Sequence, residues 1–423
     1  MRSIRRDILT LFCLSCAAIT PPLAAQDLAA AIAAAQAAAP ALAEAEAGEA
    51  AAAGRLDRAR AEGNPLLRVE ATAGFGRIDN DGFFGITADN VNPLALQATA
   101  EMPLFAGGRV RSAVDQARGG ADLARYRTMQ ARLDVGVQAV AAYAEVLASR
   151  QIEQSRERLV AELSEVERQA GLRFKVGEIS SSERAQAVAR KAEAEAGLAA
   201  AHGRRMSAEA AFARLTGSPP GDLAPMPALP AVPASLAEAL ELAAANNPAL
   251  KQAEQGTVIA RAAERGARAQ GMPTIGAFAE GGHVRDQFFP GYKANSASVG
   301  LRGRWMPFAG GRIAADTRTA AAELASAEAR ARQARQNLEG LVIDSWHGLT
   351  AAEAVLVASQ ARVTAAEAAL RGIRLEARVG AKPTLAVLDA EREATEAQTA
   401  LIDAEGRRQV TAWRLNALTG AGQ

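Results

Sequence analysis

Only two cysteines occur in 423 residues, and both, Cys13 and Cys16, lie within the first 25. That segment has a secretory-signal layout: Arg2, Arg5 and Arg6, an apolar run from Ile8 to Ile19, then Pro21-Pro22-Leu23-Ala24-Ala25, with a cut expected after Ala25. The run is short of the roughly 20 apolar residues of a spanning helix. Neither cysteine has the Leu-small-small-Cys context of a lipidation site. Residues 26–423 hold no thiol, which excludes disulfides, thiolate nucleophiles and Cys-ligated metals in an exported chain. Aromatics are scarce at 4%, and much of the 49% hydrophobic content is alanine, so a globular core would lack large fillers. Extended helices packed through small side chains fit better. An excess of either charge is missing too: 48 basic against 47 acidic residues gives +1. Removing the leader's three arginines and Asp7 leaves about −1, with nothing to attract nucleic acid.

Catalytic groups are equally thin. His202, His283 and His347 stand apart, with neither a His-x-x-x-His pair nor an acidic ligand at metal spacing. Gly107-Gly108-Arg109 and Gly310-Gly311-Arg312 do not continue into Gly-Lys-Ser/Thr, so they read as turns between strand and helix rather than phosphate loops. Ser180-Ser181-Ser182 with Glu183 lacks a Gly-x-Ser-x-Gly context and reads as a helix N-cap. No enzyme, metal site or cofactor is expected.

What is present is a duplication. Pro40-Ala41-Leu42 and Pro248-Ala249-Leu250 each precede an Ala-rich stretch ending at a proline 25 residues on, Pro65 and Pro273, an offset of 208. Phe105-Ala106-Gly107-Gly108-Arg109 returns as Phe308-Ala309-Gly310-Gly311-Arg312 at an offset of 203. The same 203 relates Lys175-Val176-Gly177 to Arg378-Val379-Gly380 and Leu215-Thr216-Gly217 to Leu418-Thr419-Gly420. These landmarks are the non-alanine positions, so shared composition does not explain them. The expected organisation is a first repeat over 26–217, a Pro-rich connector over 218–234 with six prolines between Pro219 and Pro233, and a second repeat over 235–423.

No proline lies between Pro103 and Pro219 or between Pro307 and Pro383, and both windows read as long helices. Leu349, Leu356, Val363, Leu370 and Ala377 recur every seven residues beside Ala352, Ala366 and Ile373, which is coiled-coil spacing. Arg109 to Phe174 and Arg312 to Ala377 would each reach roughly 100 Å at 1.5 Å per residue. Breaks near 176–180 and 379–383 read as hairpin tips, each followed by a helix of about 35 residues that returns along its neighbour. Between Pro65 and Phe105 the period becomes two: Leu67, Val69, Ala71, Ala73 and Phe75 alternate with Arg68, Glu70, Thr72, Gly74 and Gly76. Leu94 to Met102 alternates likewise, as does Ala297 to Trp305, while Ile275 to His283 does so less cleanly. Each run has the length of a tilted membrane strand. Eight of eleven phenylalanines fall in the two hairpin windows, 66–105 and 273–308, where interface girdles would sit. The linkers Asp79 to Pro93 and Arg285 to Asn295 would be external loops. Four strands cannot close a barrel, and an open edge in lipid leaves backbone groups unsatisfied at several kcal/mol each. Other copies must supply strands, which predicts a homo-oligomer without fixing the number of copies. A periplasmic coiled-coil adaptor or scaffold without a barrel is the alternative.

Pro103-Leu104-Phe105-Ala106-Gly107-Gly108-Arg109, Pro307-Phe308-Ala309-Gly310-Gly311-Arg312 and Val379-Gly380-Ala381-Lys382-Pro383-Thr384-Leu385-Ala386-Val387-Leu388-Asp389-Ala390 together resemble TolC-like outer membrane efflux proteins. The resemblance covers nearly all of the mature chain. It implies an α+β membrane protein in which four strands per subunit complete a trimeric 12-stranded β-barrel, continued by a coiled-coil helical barrel through the periplasm of a Gram-negative bacterium. The implied function is the passive exit duct of a tripartite efflux or type I secretion system, a homotrimer partnered by a periplasmic adaptor and an inner-membrane transporter. Drug, metal and protein cargo remain open. The resemblance also places a periplasmic gate at the tips, with Lys382 and Asp389 as basic and acidic gate groups beside Val379, Gly380, Val176 and Gly177. Ala386 stands where the family often has a further aspartate. A sparser acidic ring weakens cation attraction at a narrow entrance.

Overall fold

The computed structural model describes residues 26–78 and 89–420, so the leader, its cut and its two cysteines lie outside the described residues. Among the described residues, eight helices come in two matching sets. α1 (Leu28–Ala38), α2 (Pro40–Ala61), α3 (Arg109–Lys175) and α4 (Ser181–Thr216) are followed by α5 (Leu236–Asn246), α6 (Pro248–Ala269), α7 (Arg312–Arg378) and α8 (Thr384–Thr419). Set by set the lengths are the same: 11, 22, 67 and 36 residues. Pro40 and Pro248 open α2 and α6 at a first-turn position where the missing N–H costs nothing. Asp27, Ser180, Ser235 and Asn247 accept from first-turn amides, and Ser180 closes a reciprocal capping box with Glu183.

Small side chains allow these helices to lie close. In α4 the alanines Ala187, Ala194, Ala201 and Ala208 recur every seven residues and all are buried. They pack with Leu159, Leu163, Val140, Tyr143, Ile152 and their neighbours on α3. The heptad seam of α7 buries Leu349, Val363 and Leu370, and Val363 and Ala366 meet Ala397 and Leu401 of α8. The few large fillers gather midway. Leu28, Val140, Tyr143, Val146, Phe212 and Leu223 form one cluster, while Leu250, Leu338, Val342, Leu349 and Leu415 form its counterpart in the second half. The Tyr143 hydroxyl lies 2.8 Å from the Gln26 carbonyl and 2.6 Å from that of Ala224, tying the start of the described chain and the Pro-rich connector to α3.

The strands form one antiparallel sheet in the order β1 (Leu66–Ala73), β4 (Leu94–Phe105), β5 (Thr274–Arg285), β6 (Lys293–Arg304), with β2 (Gly76–Ile78) pairing β3 (Asp89–Val91) beyond it. The ladder differs from the sequence expectation at two places. The run through Phe75 is broken after Ala73, because Gly74 faces Pro93, which has a carbonyl for the Gly74 N–H at 3.0 Å but no N–H to return. Pairing then resumes in β2 and β3, so the expected Asp79 to Pro93 loop includes a strand; its residues 79–88 lie outside the described residues. The second loop is shorter than expected, since β5 reaches Arg285 and β6 starts at Lys293.

Candidate functional site

The two faces of the sheet are chemically distinct. In register, Leu67-Ala100-Ala279-Val299 and Val69-Ala98-Gly281-Ala297 form rows on one face, and Leu67, Val69 and Val299 are well exposed there. The opposite face carries Arg68, Glu70, Gln97, Thr99, Glu101, Glu280 and Arg302 around a shared hollow. Arg302 donates to Glu101 at 2.9 Å, lies 3.8 Å from Glu280 and stacks over Phe278 at 4.5 Å. An apolar outside and a charged inside are what a wall between lipid and water requires. Among the described residues, the outer edges of β1 and β6 pair with no other strand of the protomer. Because the four strands alternate in direction, β6 of one copy meets β1 of the next antiparallel, whatever the copy number.

At the other end of the long helices the two tips share a backbone design. Gly177 N–H donates to Phe174 O and Glu178 N–H to Arg173 O; Gly380 N–H donates to Ala377 O and Ala381 N–H to Glu376 O. These are the paired bonds that stop a helix at a left-handed residue, and both glycines have φ of +80°. Val176 and Val379 are exposed beside them, at 71% and 81%. The tips differ in how the returning helix starts: Ser180 caps α4, whereas α8 begins after Pro383 without a side-chain cap.

Lys382 and Asp389 are not joined to each other. Lys382 forms no ion pair among the described residues, while Asp389 accepts from Arg190 of α4 at 3.0 Å, and Arg190 also holds Glu193 at 2.9 Å. Fourteen residues along, Arg204 of α4 repeats the contact with Asp403 of α8 at 2.9 Å and reaches back to Glu145 of α3 at 2.7 Å. Two rungs spaced by two heptads thus tie α4 to α8. Above Asp389, Glu391 is 5% exposed and meets Arg374 of α7. Arg374 donates also to Glu162 of α3 at 3.2 Å. Burial, and then a hydrogen bond with Glu162, push the Glu391 carboxyl up to about 7, against the lowering pull of Arg374. Sequence reasoning missed this junction. Its one signal is an acidic residue three positions after the core leucine Leu388, on the face that α8 buries.

The histidines play different parts. His202 Nδ1 lies 2.8 Å from Glu153, which also pairs with Arg205, and His283 Nδ1 lies 2.7 Å from Asn295 across the β5–β6 hairpin. Among the described residues no group of three or more His, Cys, Asp or Glu side chains could hold a metal ion.

Comparison with known proteins gives the same picture. The chain is 30% identical over 286 residues to the outer membrane efflux protein BepC of Brucella suis biovar 1 (strain 1330), a match over 67% of this chain and 62% of that relative's length. Among solved structures, the outer membrane protein VceC of Vibrio cholerae is 21% identical with a TM-score of 0.80, over 93% of this chain and 96% of that one. The Campylobacter jejuni CmeC outer membrane channel is 15% identical with a TM-score of 0.81, over 93% and 86%. The sequence profile of the outer membrane efflux proteins matches residues 31–218 and 239–421, once on each half of the duplication, and the chain belongs to that family.

Proposed function

We propose that this chain is one protomer of an outer-membrane exit duct, a passive conduit that receives solutes from a periplasmic adaptor and an inner-membrane transporter and releases them outside. The observation that carries the reading is the sheet: four antiparallel strands with one apolar face, one charged face and two unpaired edges, set on helices about 100 Å long. Three copies give twelve strands and a closed wall. A second observation supports assembly along the helices. The most apolar 18-residue stretch of α7 is only 17% buried within the protomer, and Leu341, Val355 and Val357 on α7 stand exposed. A neighbouring copy covers them. Crosslinking in detergent checks the assembly: a trimer mass is expected, and a monomer, or a protein extracted without detergent as a periplasmic scaffold would be, refutes it.

The gate of this duct is the second tip, Val379, Gly380, Lys382 and Asp389, together with Val176 and Gly177 of the first tip. Arg190 is the brace, since it holds Asp389 from the neighbouring hairpin. With alanine at 386, each copy places a single aspartate at the entrance. In planar bilayers, Arg190→Ala is expected to lengthen openings and Asp389→Asn to weaken cation preference. Strong cation block that survives Asp389→Asn refutes the ring.

A further inference from the structure

We infer that the distal end of the lipid-facing sheet carries a binding site for the phosphate of an anionic membrane lipid, formed by Arg285 and Lys293. This rests on the reading of the apolar face as the outside of an outer-membrane barrel. The helices join the sheet at Pro65, Phe105, Thr274 and Arg304, so the β5–β6 turn at 286–292 is the end remote from them. The last row before that turn is Ala73-Leu94-Arg285-Lys293, in register and on the apolar face. Directly opposed strand residues have Cβ atoms about 5 Å apart, so one phosphate can accept from both side chains.

The rows on either side fix the height of this one. Toward the helices the next row is Ala71-Leu96-His283-Asn295, and below it the apolar face holds no charged residue: Val69, Ala98, Gly281 and Ala297, then Leu67, Ala100, Ala279 and Val299, then Met102, Ala277 and Leu301. Toward the outside, Phe288 and Phe289 pack edge-on against Tyr292, with ring centroids 5.2 and 5.1 Å away. An aromatic cluster above and an uncharged band below mark the row as the headgroup level. Among the described residues both cations are available. Lys293 makes no ion pair there, and Arg285 pairs with one acidic side chain, that of Asp286, whose Oδ2 is 3.5 Å from its Nε, while Asp286 Oδ1 accepts the Gly291 N–H at 2.7 Å and is fixed in the turn. The contact leaves the terminal guanidinium nitrogens for a ligand. A lipid suits the site better than free phosphate, because its acyl chains cover the uncharged rows directly beneath.

The test uses the full-length protein in detergent, titrated with phosphatidylglycerol, phosphatidylcholine or inorganic phosphate and read by thermal melting and native mass spectrometry. Phosphatidylglycerol is expected to bind and raise the melting temperature while phosphatidylcholine does not. Each of Arg285→Ser and Lys293→Ser is expected to weaken that binding about fivefold, and the pair roughly 25-fold, as loss of one and two cations near an anionic surface requires. The charge-retaining pair Arg285→Lys with Lys293→Arg is expected to bind as the parent does, as is Arg55→Ser with Arg58→Ser, which removes two cations from α2. Equal phosphatidylglycerol binding in the double serine variant overturns the inference, as does equal affinity for phosphatidylcholine. Binding of inorganic phosphate with no lipid preference overturns it too. A protein that stays monodisperse without detergent refutes the membrane reading itself, a result distinct from lost headgroup preference.

Discussion

Glu391 makes the helical tip sensitive to pH. Its carboxyl is buried among α3, α7 and α8, faced by Glu162 and Arg374, while Arg190 on α4 is engaged by Asp389 and Glu193. In this packed junction its carboxyl is pushed up to about 7, against 4.5 when exposed to water. Between those values the packed junction binds more protons than one whose Glu391 meets water, so the packing weakens as pH rises from about 4.5 to about 7 and stays weak above that. At 1.36 kcal/mol for each tenfold change in affinity, the ionised group costs the packed junction roughly 3 kcal/mol above neutrality. Amide hydrogen exchange over residues 370–392, corrected for the intrinsic pH dependence, reads this directly. Protection in the native protein should fall by up to about tenfold per pH unit across the window. Glu391→Gln should flatten the profile and raise protection at pH 8, because the amide stays neutral. A native profile already flat between pH 5 and 8, or a slope that persists in Glu391→Gln, refutes the reasoning.

Packing and backbone geometry set two further outcomes. Tyr143→Phe should lower stability by about 1–2 kcal/mol in urea unfolding, since the Ala224 carbonyl loses its hydroxyl donor while the Gln26 carbonyl keeps only the Ala224 N–H at 3.1 Å, and it should open residues 219–233 to protease. Gly107 and Gly310 share φ near +60°, but a Cβ on Gly107 would come within 2.5 Å of Met272 Cβ, whereas one on Gly310 meets nothing within 4 Å. Gly310→Ala should therefore cost only backbone strain of about 1–2 kcal/mol, and Gly107→Ala visibly more in a melting comparison.

The parts of this molecule that were legible in the chain are those written in local spacing. Proline-free windows and a returning Phe-Ala-Gly-Gly-Arg located the 67-residue helices to within one residue, and alternation located most of the sheet. Where alternation misled, the cause was a partner it could not name: Phe75 keeps the period of two, yet Pro93 across the ladder ends the pairing one step earlier. The charged junctions were hidden for the same reason. Arg190 and Asp389 are 199 residues apart, as are Arg204 and Asp403, and nothing in either neighbourhood distinguishes them from the many Arg and Glu residues on solvated helix faces. Asp389 was singled out through family resemblance, and its partner emerged only from the packing of α4 against α8.

The cluster around Tyr143 and Phe212 also sets a lever arm. From Tyr143 to Lys175 is 32 residues of uninterrupted helix, about 48 Å. With the helix held at that point by Gln26 and the connector, a tilt of 5° carries the tip sideways by about 4 Å, and the same tilt in every copy widens an axial aperture by about twice that. At the entrance proposed above, stiffness without proline would turn a slight repacking near Tyr143 into the full width of a solute.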